Sequence, residues 1–271
     1  MHNHSSEYCK NCNQHLQENQ NFCPNCGQKS TVGRIDFHFL MHEFLHGIFH
    51  VDGGIVFTLK KMFTEPGKSI REYLQGKRQA HFKPVLFVLI IAGFCSLLKH
   101  VILKDSNDDI KKEIAIDVGD EPSDVLSNVD KEGLISYLNY IADWMTEHFP
   151  FVILSLVPIA ALGLYLGFKK YKVNYAEWLV YSCFSAGQLL AIYFVILVFQ
   201  SVFGISIYWI YVLICLAISI WTVFQFFEFK SPKILFFRFL LAVIYYCFFS
   251  GFIILLLTFF IAALGLWYYQ K

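Results

Sequence analysis

Charged residues are scarce in this chain of 271 residues. Asp, Glu, Lys and Arg make up 16% of it, whereas they form about a quarter of an ordinary soluble domain. Hydrophobic residues make up 56% and aromatic residues 18%. This composition excludes an ordinary soluble globular protein and indicates an integral membrane protein. Residues 1–36 also lack the apolar core of a secretory signal peptide, so we expect the N-terminus to stay in the cytoplasm.

Ionisable residues are nearly absent from the long apolar stretches, where Lys99 and His100 are the main exceptions. Stretches of spanning length occur at 84–103, 150–168, 178–200, 207–227 and 239–264. The last belongs to an apolar run from about 235 to 269, which is too long for one straight crossing. It is either a single tilted span or a hairpin bent near Gly251, and we favour the single span because no polar turn interrupts it. We therefore predict an all-α integral membrane protein with about five transmembrane helices.

The distribution of Lys and Arg predicts the orientation, because cytoplasmic loops carry an excess of both. Seven basic residues lie in residues 60–83, directly before the first span: Lys60, Lys61, Lys68, Arg71, Lys77, Arg78 and Lys83. The 104–149 loop is strongly acidic and belongs outside, whereas the connections after the second and fourth spans are basic. We predict a bacterial cytoplasmic (inner) membrane protein with its N-terminus in the cytoplasm and its C-terminus outside.

Two Cys-x-x-Cys pairs lie in residues 1–30: Cys9 with Cys12, and Cys23 with Cys26. Four thiolates can close a tetrahedron around one Zn²⁺, and so short a stretch has no other means of holding a fold. We predict a small cytoplasmic Cys₄ zinc ribbon with one structural zinc ion. Disulfides or free thiols, and iron in the same site, are the alternatives. Lys10 and Lys29 are too few basic residues in this part to form a nucleic-acid-binding face.

Each pair is followed by a residue that tolerates left-handed backbone, Asn13 after the first and Gly27 after the second. A metal knuckle often needs a positive φ at that position, where the chain turns back and its N–H groups face sulfur. The pattern therefore predicts two equivalent knuckles.

Residues 31–83 have the pattern of interfacial amphipathic helices followed by a basic juxtamembrane segment. Apolar residues fall mostly on one arc of a helical wheel: Phe37, Leu40, Met41, Phe44, Leu45, Ile48 and Val51. Histidines recur every fourth residue on the adjacent arc: His38, His42, His46 and His50. We expect Gly53-Gly54 to end this helix, a short second segment to reach Met62, and Pro66-Gly67 to form a turn.

The segment His42-Glu43-Phe44-Leu45-His46 matches the HExxH pattern of zinc metalloproteases, in which two His bind zinc and Glu polarises a water molecule. The His stripe alone makes such a match easy to generate. A solvated polar helix face, a second metal site formed by His42 and His46, and a membrane protease using His42, Glu43 and His46 are the three interpretations.

The order of motifs then resembles a known family. The ribbon ends in Phe22-Cys23-Pro24-Asn25-Cys26-Gly27-Gln28, and Pro66-Gly67, Arg71-Glu72-Tyr73-Leu74-Gln75-Gly76-Lys77-Arg78 and Pro84 follow before the first span. Residues 9–95 resemble a family of multi-span bacterial membrane proteins of unknown function, common in the Bacteroidetes, that carries an N-terminal zinc ribbon. The resemblance implies Cys9, Cys12, Cys23 and Cys26 as metal ligands, with Pro66, Gly67, Tyr73, Gly76, Arg78 and Pro84 as a membrane-proximal signature. Phe82 departs from the family, in which Tyr is more usual.

The chemistry of that segment suits contact with lipid or with a partner. Basic side chains can bind phosphates of anionic lipid headgroups or an acidic protein surface, and an aromatic ring suits the interface. The residues that we predict in this role are Arg71, Tyr73, Lys77, Arg78 and Lys83.

Three classes of function remain. The first is a non-enzymatic scaffold, sensor or accessory factor whose zinc ribbon docks an unknown protein partner, because four thiolates leave no open position for catalysis. The second is a transporter, channel or lipid-handling protein for a neutral or lipid solute, with Gln188, Gln200 and Gln225 along a polar route. The third is the protease. We expect no enzymatic activity and no nucleic-acid partner.

Overall fold

The computed structural model describes residues 8–17, 20–47, 54–102, 144, 148–205 and 207–269. Within these ranges the protein is helical, and its only strand-like pairings are two isolated bridges in the ribbon. This confirms the predicted fold class. The helices are α1 (Phe37–Gly47), α2 (Gly54–Thr64), α3 (Pro66–Leu74), α4 (Pro84–Ile102), α5 (Phe149–Gly167), α6 (Tyr175–Phe203), α7 (Tyr208–Phe226) and α8 (Pro232–Tyr269).

Four helices are long and apolar enough to cross a membrane, judged by length and composition: α5, α6, α7 and the Pro232–Leu256 part of α8. The helix α4 is also apolar and has 19 residues, with Pro84–His100 as its fully described part. The predicted total of five spans therefore depends on α4. The predicted acidic loop at 104–149 lies almost entirely outside the described residues.

The last helix differs from the predicted span 239–264. α8 is one continuous helix of 38 residues that begins at Pro232 and contains Gly251 in its interior. It therefore has no hairpin at Gly251. At 1.5 Å per residue it is about 57 Å long, nearly twice the ~30 Å of a bilayer core, so part of it extends beyond the hydrocarbon.

Reciprocal capping fixes where α6 begins. The Asn174 side chain accepts a hydrogen bond from Glu177 N at 2.8 Å, and Glu177 Oε2 accepts one from Asn174 N at 2.8 Å. Such a capping box satisfies two amide groups that the helix itself cannot pair. The helix consequently starts at Tyr175 and includes Glu177, three residues before the predicted start of the third span at 178.

The predicted turn at Pro66-Gly67 is wrong, because both residues lie in the first turn of α3. Proline suits this position, since its missing N–H would have no helical partner there. Gly67 is required by packing: a Cβ at this residue would lie 2.2 Å from Thr222 O and 2.3 Å from Phe226 N. Only Glu65 separates α2 from α3, and α3 packs directly on the backbone of α7.

Two glutamines hold α2 and α3 in the bundle. Gln188 of α6, only 1% exposed, donates from Nε2 to Met62 O at 2.6 Å. Gln225 of α7 accepts from Gly67 N at 3.0 Å. Both side chains bind the backbone of α2–α3, and that interaction explains two of the three glutamines predicted to line a polar route.

The ends of several helices meet on one side of the bundle. Arg71 of α3 donates to Gln225 O and Phe226 O at 3.0 Å each, at the end of α7. Arg238 of α8 donates to Gly167 O at 3.0 Å, at the end of α5. The basic connections between α5 and α6 and between α7 and α8 therefore share one end of the bundle with α3.

Candidate metal centre

The two cysteine pairs lie in loops with the same hydrogen bonds. Cys9 N donates to Gln14 O at 2.8 Å, and Cys23 N donates to Gln28 O at 2.8 Å. Each loop is closed by an antiparallel bridge, Tyr8 with His15 in the first and Phe22 with Lys29 in the second. The ribbon is thus built from two knuckles of equal length that face each other.

The residue after each pair adopts the left-handed conformation, as predicted. Asn13 has φ 63° and Gly27 has φ 72°. Their amides donate to Cys9 O and Cys23 O respectively, at 2.9 Å each. A positive φ turns the chain back over the preceding cysteines at both positions.

The four sulfur atoms form a compact group, all within 4.8 Å of one another. Cys9 Sγ lies 3.6 Å from Cys26 Sγ, and Cys12 Sγ lies 3.5 Å from Cys23 Sγ. Tetrahedral zinc with Zn–S bonds of ~2.3 Å requires S···S separations of about 3.8 Å. These distances fit one metal ion and are far longer than the ~2.05 Å of a disulfide bond, so Cys9, Cys12, Cys23 and Cys26 hold one structural zinc.

The thiols differ in acidity. A backbone hydrogen bond at Gln14 stabilises the thiolate and lowers the pKa of Cys12 to about 6, whereas burial raises the pKa of Cys26 to about 11. Metal ligation requires the thiolate form, so binding displaces a proton from Cys26 at neutral pH. With four sulfur ligands the site is closed, and zinc there contributes folding energy.

The ribbon is docked on the segment that follows α3. Gln28, which is 5% exposed, accepts through Oε1 from Gln79 N at 3.0 Å and from Arg78 N at 3.3 Å. Gly76, with φ 111°, meets the chain after the ribbon: a Cβ there would lie 3.0 Å from Val32 Cγ1. Gln28 therefore links the second knuckle directly to the predicted signature segment.

A second anchor joins the ribbon to the start of α6. Arg34 Nε and Nη2 donate to the two Glu177 carboxylate oxygens at 2.6 and 2.7 Å, and Nη2 also donates to Lys172 O at 2.6 Å. The adjoining Ile35 is fully buried, and its carbonyl accepts from Asn174 Nδ2 at 2.9 Å. The sequence-based interpretation missed both Arg34 and Glu177, although an acidic residue directly before an apolar span was a visible signal.

The residues predicted to contact lipid or a partner have different environments. Tyr73 is 0% exposed and packs edge-on against His81 and Phe184. Its assignment to a contact surface is therefore wrong, because the ring fills the core between α3 and α6. Arg71 is bonded to the end of α7 and lies 3.4 Å from Glu228.

The other three lie nearer the ribbon. Lys77 pairs with Glu72 at 3.0 Å. Arg78 donates to Gly33 O at 3.0 Å and stacks 4.6 Å from the centre of the Phe39 ring, so it too secures the segment after the ribbon. Lys83 lines a cleft between the ribbon and the start of α4.

This cleft has a volume of about 560 Å³. Among the described residues, the charged side chains that line it are all basic: Lys29, Arg34, Arg78 and Lys83. The Phe22 ring, 61% exposed, forms part of its rim. We call it the basic cleft.

The histidine motif is described only in part. His38 and His42 stack with ring centres 6.5 Å apart on α1, whereas the side chains of Glu43 and His46 lie outside the described residues. The second metal site and the protease therefore remain predictions.

Comparison with known families agrees with the two parts of this region. Residues 8–30 match a zinc-ribbon domain. Residues 52–95 match a family described as protein of unknown function (DUF3667). Together the matches support a family of unknown function with an N-terminal zinc ribbon, and the apolar helices fit a membrane protein. No curated protein and no solved structure matches the chain.

Proposed function

We propose that this protein is a non-enzymatic scaffold or accessory factor of the bacterial inner membrane, whose zinc ribbon docks a soluble protein on the cytoplasmic side. The observation that carries the proposal is a closed Cys₄ site fixed against the helix bundle beside the basic cleft. A closed site leaves no coordination position for a substrate. Its anchoring through Gln28 and Arg34 presents the ribbon in one orientation, which a docking surface needs.

The charge distribution supports the cytoplasmic placement. Arg34, just after the ribbon, contacts Lys172 in the basic connection between α5 and α6, and Arg238 of α8 bonds to the end of α5 next to that connection. Basic loops mark the cytoplasmic side of membrane proteins, where the reducing environment also favours zinc-bound over disulfide-bonded cysteines.

The basic cleft defines the chemistry of the partner. Lys29 lies on the ribbon and Lys83 lies just before α4, and both line the cleft. An acidic segment carrying an apolar side chain for Phe22 would complement them, since opposite charges steer association and aromatic residues anchor interfaces. The same geometry gives the signature residues a role: Gly67 and Gly76 allow close packing, and Arg78 positions the ribbon.

Co-purification of the full-length protein from native membranes tests this proposal. The variant Lys29→Glu/Lys83→Glu reverses charge in the cleft, and we expect it to lose at least about ten-fold of the captured partner, as for like charges brought together at an interface. The variant Lys169→Glu/Lys170→Glu is the matched control, because both lysines are exposed at the same end of the bundle outside the cleft. Equal capture by wild type and the cleft variant would contradict the proposal, as would an equal loss in the control.

A further inference from the structure

A partly open cavity of about 290 Å³ lies between α5, α6, α7 and α8. Its walls are mostly apolar, with Leu156 and Ala160 from α5 and Phe239 and Val243 from α8. Within the described ranges, no Asp, Glu, Lys, Arg or His lines it. The volume is about twice that of an engineered ~150 Å³ cavity that binds benzene, so it has room for an apolar group of about ten carbon atoms.

One side of the cavity is polar. Ser182 and Ser185 lie one turn apart on α6, and Ser219 and Thr222 lie one turn apart on α7. Ser219 Oγ donates to Cys215 O at 2.7 Å and Thr222 Oγ1 donates to Ile218 O at 2.8 Å. Since their protons are engaged, these two hydroxyl oxygens face the cavity as acceptors.

Ser182 and Ser185 differ from the α7 hydroxyls. Ser182 is 4% exposed, and neither Ser182 Oγ nor Ser185 Oγ has a hydrogen-bond partner within the described part of the chain. A buried hydroxyl in a membrane-embedded bundle has no bulk water to bind, and such groups are normally satisfied inside the protein. The cavity therefore contains two hydroxyl donors on α6 that a ligand can satisfy, in addition to the acceptors on α7.

We propose that this cavity binds a neutral amphipathic lipid: an apolar chain that ends in a hydroxyl or carbonyl group. The apolar walls accommodate the chain, and the Ser182 and Ser185 hydroxyls pair with the polar end. Charged ligands are disfavoured because none of the described lining residues offers an opposite charge, and burying an unpaired charge is strongly unfavourable. This site is independent of the zinc ribbon and of the partner proposed for it.

Photolabelling of the full-length protein in nanodiscs tests the proposal. Diazirine analogues of decanol, decane and decanoic acid serve as probes, and mass spectrometry locates the labelled residues. We expect decanol to label residues of α5, α6 and α7 that line the cavity about five-fold more than decane, the ratio that one net hydrogen bond provides. Decanoic acid at neutral pH should label them least.

Three variants decide the outcome. Ser182→Ala/Ser185→Ala keeps the cavity shape, and we expect decanol labelling to fall to the level of decane. Ser155→Ala is the matched control, because this exposed hydroxyl of α5 is bonded to Val152 O and lies outside the cavity. Ala160→Phe, which fills the cavity, should reduce labelling by both neutral probes.

The proposal is overturned if wild type labels equally with decanol and decane, or if the double serine variant keeps the decanol preference. Should Ala160→Phe fail to fold, the serine variants still decide, since removing two hydroxyl oxygens leaves helix packing intact.

Discussion

Arg34 and Glu177 join the segment after the zinc ribbon to the first turn of α6 through two parallel hydrogen bonds of 2.6 and 2.7 Å. Glu177 also caps α6 through Asn174, so the same carboxylate starts a predicted membrane helix and secures the ribbon. Glu177 therefore couples the position of the ribbon to the start of α6.

Replacing Arg34 should loosen the ribbon without unfolding the bundle. Arg34→Ala removes both bonds to Glu177. Because the Arg34 side chain is 59% exposed, solvent screening limits the resulting loss of free energy of ribbon attachment to about 1 kcal/mol. Hydrogen exchange of the ribbon amides should accelerate roughly five-fold relative to wild type. Arg34→Lys should give an intermediate rate, because lysine cannot form the two parallel bonds; unchanged exchange in both variants would disprove the anchor.

Measuring the zinc content of the protein tests the metal site of the ribbon. Wild type should contain one zinc ion per chain, and Cys26→Ser should lose most of it together with amide protection in residues 8–30. Cys247→Ser is the control, since Cys247 is exposed on α8 and should leave zinc content unchanged. Full zinc retention in Cys26→Ser would show that this thiolate is not a ligand.

Gly67 should be intolerant of any side chain. In Gly67→Ala the new Cβ would lie 2.2 Å from Thr222 O, so α3 must move away from α7 at a cost of about 1–3 kcal/mol. Gly93→Ala is the contrasting variant, because nothing lies within 4 Å of a Cβ there and alanine is the better helix former by up to about 1 kcal/mol. Thermal melting in detergent should place Gly67→Ala below wild type and Gly93→Ala at or above it; the reverse order would contradict this packing.

His81 should make stability dependent on pH. Burial lowers the pKa of His81 below its ordinary value of 6.5, and the ring bonds to Ser69 Oγ at 2.7 Å. As pH falls below 6.5 the unfolded chain takes up a proton that the folded state resists, so the free energy of unfolding decreases. The melting temperature of wild type should drop between pH 7.5 and pH 5.5 more than that of His81→Gln. The variant His38→Gln, at an exposed position of α1, should behave like wild type, and identical slopes in all three would refute a role for His81.

Local features of the ribbon could be predicted from the sequence. Asn13 and Gly27 were identified because the spacing of the cysteines determines where the chain must turn back, and that requirement involves only a few neighbouring residues. The apolar helices followed equally from composition, because a bilayer imposes a minimum length on any span.

Long-range contacts could not be predicted. The prediction of a turn at Pro66-Gly67 was wrong because Gly67 packs against the α7 backbone, more than 150 residues away in the sequence. Tyr73 was taken for an interfacial residue because aromatic rings suit membrane interfaces, whereas packing against Phe184 of α6 buries it completely. Neither contact can be recognised from the residues that neighbour Gly67 or Tyr73 in the sequence.

The central claim, that the ribbon docks a soluble protein at the basic cleft, is tested most directly by site-specific photocrosslinking in living cells. Benzoylphenylalanine replaces Phe22, 61% exposed at the rim of the cleft, or Phe237, 69% exposed on α8. We predict that position 22 crosslinks to a cytoplasmic protein, that the product disappears in a Cys26→Ser background, and that position 237 gives no such product. Absence of a protein adduct at position 22, or an adduct that persists without the zinc ligand, would contradict the account.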